Sequence, residues 1–228
     1  MKFIVRIHRY LALAVGVQVI FWIVSGFYFT LFPIDEIRGS HLQRPLPSRL
    51  DIRKTDIVPI DEITRRIGGL KSVELKPFLD GPIFEIDAAG GPKIYDAVSG
   101  DLLSPISEQL ATRLAEAYWR GDGTLSSIRY LEEPNQESGA TGPVWRAEFE
   151  GKDTASLYIT ADTGAFRAIR TTKWRVFDVF WGLHIMDWWN RETFSTWWMK
   201  LFAGVSIFMA ISGLLITMNQ LRRGRFFT

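Results

Sequence analysis

Two long uncharged runs, one near each end, constrain this chain more than any other feature. Leu11–Phe32 holds 22 residues without a charge, and Leu201–Met218 holds 18. A helix rises 1.5 Å per residue, and a hydrocarbon layer is about 30 Å thick. The first run covers that thickness alone; Trp197, Trp198 and Met199 extend the second until it does. A cleaved leader would have a shorter apolar core ending in small residues. The first run instead ends in Phe27, Tyr28 and Phe29, so it reads as a retained anchor.

The flanks of the runs predict an orientation. Lys2, Arg6 and Arg9 precede the first, and Arg222, Arg223 and Arg225 follow the second. Asp35, Glu36, Arg38, Asp187, Arg191, Glu192 and Lys200 make the inner flanks mixed. Basic loops stay in the cytoplasm. Both termini are therefore expected there, with residues 33–196 exported across a bacterial-type inner membrane. Seven of the nine Trp cluster near the runs (Trp22, Trp174, Trp181, Trp188, Trp189, Trp197, Trp198), as rings at a lipid–water boundary do. The lipid bilayer is thus the first expected partner. A net charge of +2 makes no case for nucleic acid. With no Cys, disulfides, thiolate metal sites, iron–sulfur clusters and covalently attached haem are excluded.

The helix faces add detail. In the second run Ala203, Ser206, Ala210, Gly213 and Thr217 recur at steps of three and four, a stripe of small residues that lets another helix approach closely. In the first, His8, Leu11, Val15, Gln18, Trp22, Ser25 and Gly26 share a face. Two readings stand: the stripes pack on each other or on a second copy, as in a homodimer or with a partner subunit, or they line a cofactor site.

The middle of the chain reads as α+β and as built twice. Gly81-Pro82-Ile83-Phe84 leads to Lys93-Ile94-Tyr95-Asp96 and then Ser99-Gly100. Gly142-Pro143-Val144-Trp145 leads to Ser156-Leu157-Tyr158-Ile159 and then Thr163-Gly164. The shared order of Gly-Pro, a central Tyr and a turn ending in Gly predicts two superposable antiparallel hairpins, each followed by a turn whose Gly suits φ > 0. A helix is expected before each, over Ile60–Ile67 and over Ile106–Trp119, where apolar residues keep a helical period. Glu133–Thr141 reads as a mobile polar loop. No nucleophile elbow, phosphate loop or paired-carboxylate constellation is present, and His41 is the single histidine of this region.

With these residues in view the chain resembles the PepSY-associated transmembrane family. The likeness rests on His8-Arg9-Tyr10-Leu11, on Trp22 with Ser25-Gly26, on Ile159-Thr160-Ala161-Asp162-Thr163-Gly164, on the run from Trp174 to Asp187, and on Ser212-Gly213. It implies an α+β periplasmic domain of two PepSY-like helix-plus-antiparallel-sheet repeats flanked by two transmembrane helices. The expected layout is a first span in 1–32, a linker in 33–58, repeats in 59–104 and 105–172, an interfacial amphipathic helix in 173–196, and a second span with its tail in 197–228. Larger members are similar to inner-membrane reductases of iron–siderophore complexes, with b-type haem held by membrane histidines. This chain has two spans and no flavin or nicotinamide domain, so a self-contained reductase is not expected.

The resemblance turns attention to His8 and His184 as haem ligands. On a helix through Trp174–Asp187, the rings of Phe177, Phe180, Trp181 and Trp188 would surround His184, and Asp187 at i+3 would orient its imidazole. Each histidine also has a plain reading, as a polar helix-end residue near headgroups. About 30 Å would separate the two, so they cannot share one iron within a chain. Three functions remain open: a haem b electron-transfer subunit, an anchored binding module, and a structural subunit of a larger complex.

Overall fold

A computed structural model describes residues 2–46, 55–65, 67–79, 81–152 and 154–223. The chain divides into two units. One comprises residues 1–33 with 175–228, and the other residues 34–174.

The central unit is α+β with two antiparallel sheets. Helix α2 (Ile34–Arg38) and a 3-10 turn (Ser40–Leu42) open it, and α3 (Ile60–Thr64) follows. The first sheet has the order β1 (Ser72–Pro77), β2 (Pro82–Ala88), β3 (Gly91–Asp96). Next comes α4 (Glu108–Tyr118). The second sheet has the order β4 (Thr124–Leu131), β5 (Val144–Glu150), β6 (Ala155–Thr160), β7 (Phe166–Thr171). α4 forms where the apolar period predicts it. Ser107 caps it by accepting from the Leu110 N–H at 3.2 Å, and Ala111, Leu114, Ala115 and Tyr118 turn inward.

The main core joins both sheets through α4. Ile83 and Ile94 of the first sheet meet Trp145, Ala147, Phe149, Leu157, Ile159 and Ile169 of the second. Alternation along the strands sends Phe84 and Ile86 to the other face of the first sheet, where Ile63 of α3 covers them. α3 is shorter than expected, five residues against eleven in α4.

Both duplicated stretches form antiparallel strand pairs, β2 with β3 and β5 with β6. Equivalent backbone bonds close both, and in that alignment the two tyrosines fall one residue apart. Ala97 N–H bonds to Pro82 O and Gly100 N–H to Asp96 O; Ala161 N–H bonds to Pro143 O and Gly164 N–H to Thr160 O. Tyr95 then lies opposite Phe84, whereas Tyr158 lies opposite Arg146. A shift of one residue reverses the face, so the two tyrosines do different work. Tyr158 is fully buried. Its hydroxyl accepts from Asn135 Nδ2 at 3.1 Å and donates to Glu137 Oε2 at 2.9 Å. Glu133–Thr141, expected as a free loop, is thus folded around Tyr158, with Ser138 buried and bonded to Asn135. Burial, helped by Glu137, pushes the Tyr158 phenol up to about 12.

The helical unit contains α1 (Lys2–Leu31), the last eleven residues of α5 (Thr172–Ile185) and α6 (Trp197–Arg222). α6 is 26 residues long with mean hydropathy 2.2, and among the described residues it alone is long and apolar enough by itself to cross a membrane. α1 qualifies only if Val5–Leu13 and Val15–Leu31, bent by 49° relative to each other, are taken as one span. α1 and α6 pack together. The helix expected over 173–196 ends at Ile185, and 186–196 is an irregular but heavily bonded loop.

Candidate functional site

The polar stripe of α1 is taken up by contacts inside the helical unit. A helix C-terminus leaves carbonyls without intrahelical partners. α5 solves this with α1 side chains. Gln18 Nε2 donates to Leu183 O at 3.0 Å and Trp22 Nε1 donates to His184 O at 2.8 Å. Asp187 N–H donates to Gly182 O at 3.1 Å, and Met186 between them has φ 54. This is a Schellman-like end in which Met occupies the left-handed position usually held by Gly.

One turn further along α1, Ser25 receives the imidazole. His184 Nδ1 lies 2.7 Å from Ser25 Oγ, which also lies 2.6 Å from Phe21 O and 3.2 Å from Trp22 O. Ser25 is fully buried and Gln18 is 6% exposed. Phe29 of α1 faces the His184 ring at 5.4 Å between centroids, and Phe177 packs on Phe29 at 4.7 Å. Trp181 also reaches Phe29, at 6.2 Å. Phe180 turns instead to Tyr28, and Trp188 to Trp189. The expected aromatic wall is therefore divided between α1 and α5.

Asp187 does not orient the imidazole. α5 ends at Ile185, so the i+3 relation on which that expectation rested is lost. Its carboxylate accepts from the backbone N–H groups of Asn190, Glu192 and Thr193 at 3.1 to 3.3 Å. Burial pushes Asp187 up, but these donors outweigh it and hold the carboxyl below its usual value. The loop is further strapped down by Arg191, whose stem crosses Gly182 of α5 and whose guanidinium pairs with Asp178. Gly182 makes room for that strap: a Cβ there would lie 3.0 Å from Arg191 Cγ.

His8 repeats the arrangement with the other helix. Its Nδ1 lies 2.8 Å from Ser212 Oγ, and that hydroxyl lies 3.0 Å from Met209 O. Gly213 makes the approach possible, since a Cβ there would lie 3.3 Å from His8 Cε1. At this level the small-residue stripe of α6 faces α1 of the same chain. Ser25 and Ser212 are each followed by a glycine, and each receives a histidine from a neighbouring helix. Roughly 25 Å of helix separates His8 from Ser25 at 1.5 Å per residue, so the two nodes are distinct.

This geometry is not a serine-hydrolase dyad. An activated serine donates its proton to the imidazole. Ser25 has a main-chain carbonyl 2.6 Å away competing for that proton. Among the described residues no group of three or more His, Asp or Glu side chains is placed to hold a metal ion. Each node instead offers one imidazole with Nδ1 engaged and no hydrogen-bond partner to Nε2 among the described residues.

No curated protein and no solved structure matches the chain. The family described as PepSY-associated TM region matches residues 5–228, essentially the whole chain. The chain therefore belongs to the PepSY-associated TM region family and is a membrane protein.

Proposed function

We propose that this protein is an inner-membrane electron-transfer subunit carrying b-type haem, linked to reduction of ferric complexes such as iron–siderophores. In this reading α1 and α6 both span the membrane, with their basic flanks in the cytoplasm. The central unit is periplasmic, and its two helix-and-hairpin stretches are PepSY-type repeats. Reporter fusions at residue 137 and beyond Arg222 test this topology; cytoplasmic behaviour at both would refute it.

The observation that carries the redox reading is the pair of matching His–Ser nodes. A neutral imidazole held at Nδ1 and open at Nε2 is the form that ligates haem iron, with the Nδ1 bond fixing the ring. The donor chemistry fits: His184 and His8 would each hold a haem iron through one ring nitrogen, at separate sites. The aromatic neighbours Phe29, Phe177 and Trp181 would exclude water near His184. When bound, the haem would supply one-electron transfer. Any further ligand at either site would come from a second copy or a partner subunit. The visible spectrum of the protein purified from haem-replete cells tests the reading; a Soret band that His184→Ala or His8→Ala diminishes is expected.

A second reading has one observation in its favour. A cavity of about 370 Å³ beside β7 is lined in part by Arg38, Arg167, Arg170 and Trp174, with Arg167 bonded to Gly139 O and Arg170 to Glu137 O, and its basic lining would suit an anionic ligand. An anchored binding module would use it without any redox chemistry.

A further inference from the structure

We infer that Ser25 and Ser212 are positioning residues that lock His184 and His8 in the Nδ1–H tautomer; their role in ligand presentation rests on the redox reading above, while the tautomer itself does not. A serine hydroxyl has one proton and two lone pairs. Ser25 Oγ has a carbonyl oxygen at 2.6 Å, and two oxygens that close repel unless a proton lies between them. The hydroxyl proton is therefore committed to Phe21 O. Only lone pairs then remain to face His184 Nδ1 at 2.7 Å, so Nδ1 must carry the ring proton. The opposite tautomer would set two lone pairs against each other at 2.7 Å, on a serine that is itself fully buried.

Ser212 repeats the logic with Met209 O at 3.0 Å and His8 Nδ1 at 2.8 Å. The longer contact makes this lock the looser of the two. In both, Nε2 is left as the lone-pair nitrogen. The serines thus settle, before any ligand arrives, which ring atom binds it. A carboxylate partner would do the same and add charge. A hydroxyl satisfied by its own helix does it without placing a charge beside lipid, where a charge is expensive.

The test is nitrogen-15 NMR of the histidine rings in the full chain, in lipid, purified without added haem, at mildly alkaline pH. Three histidines make the spectrum assignable, and exposed His41 in the central unit serves as the internal reference. His184 and His8 should each show a protonated Nδ1 and an unprotonated Nε2. Ser25→Ala should convert His184 to a mixture and leave His8 unchanged, while Ser25→Thr, which keeps the hydroxyl, should retain the single tautomer. A protonated Nε2 on His184 in the parent chain would overturn the inference, as would an unmixed Nδ1–H signal in Ser25→Ala. If Ser25→Ala does not fold, the parent and Ser25→Thr spectra decide. A locked tautomer in a chain that takes up no haem would uphold the lock and refute the redox reading.

Discussion

Gln18→Leu isolates the interaction on which the end of α5 depends. The substitution keeps the side chain's approximate size and removes the donor to Leu183 O, now held at 3.0 Å. Gln18 is 6% exposed, so water does not replace the lost bond. Stranding a buried acceptor costs about 1–3 kcal/mol, whereas bonds between membrane helices average about 0.6 and reach about 1.7 kcal/mol. Leucine also spares the burial of the Gln amide oxygen, which places the expected loss near 1 kcal/mol. Trp22→Phe should cost a similar amount by freeing His184 O. Because both donors cap the same turn, the double variant should depart from additivity. Amide hydrogen exchange over residues 183–188 in lipid reads the effect directly. A loss near 1 kcal/mol corresponds to roughly fivefold faster exchange in that segment, with the central unit unchanged. Exchange as slow as in the parent chain would show that α1 does not cap α5.

Gly213→Leu should drive the His8 ring off Ser212, since even a Cβ lies 3.3 Å from Cε1; overpacking of this kind costs about 1–3 kcal/mol, Gly213→Ala should cost less, and thermal unfolding in detergent checks the order. Arg191→Met leaves Asp178, only 14% exposed, without its partner; because Arg191 is itself 29% exposed, the loss should be nearer to the ~1–3 kcal/mol of an unsatisfied buried group than to that of a fully buried ion pair, adding Asp178→Asn should recover part of it, and chemical unfolding of both variants measures it. Tyr158 has its folded value raised to about 12 from the ordinary 10, so its contribution is fully present below pH 10 and lost as pH rises towards 12. Burial also raises the Tyr118 phenol, so tyrosinate absorbance should show Tyr158 and Tyr118 titrating late, and Tyr158→Phe should remove one of these late phenols; the stability of the central unit should fall across that interval, and normal titration of every tyrosine would refute it.

Much of this architecture is legible in the residues. α4 follows from its apolar period and Ser107, and α6 from uncharged length. The hairpins follow from Gly, Pro and alternation. The recurring order of Gly-Pro, Tyr and Gly marks both hairpins, but it does not reveal that Tyr95 and Tyr158 fall one residue apart once backbone bonds at Ala97 and Ala161 align the strands. The α1 stripe of His8, Gln18, Trp22 and Ser25 is visible on a helical face, but its partners are not. They lie about 160 to 200 residues away in sequence, and nothing local encodes where α5 stops. Asp187 is misread for the same reason: Met186 in a left-handed conformation ends the helix, and Met carries no signal for that turn. Asp178–Arg191 and the role of Gly182 as a seat for Arg191 emerge only from packing.

The central claim is that the helical unit holds two separate haem-ligating nodes, and the direct measurement is haem per chain in four proteins. These are the parent, His8→Ala, His184→Ala and the double variant, each purified from haem-replete cells with its natural partners present and assayed by reduced-minus-oxidised spectra. The account predicts b-type haem in the parent, a partial loss in each single variant, losses that add, and none in the double variant. Complete loss from either single variant would contradict two independent sites. A parent protein free of haem would contradict the redox function and leave the anchored binding module as the reading to pursue.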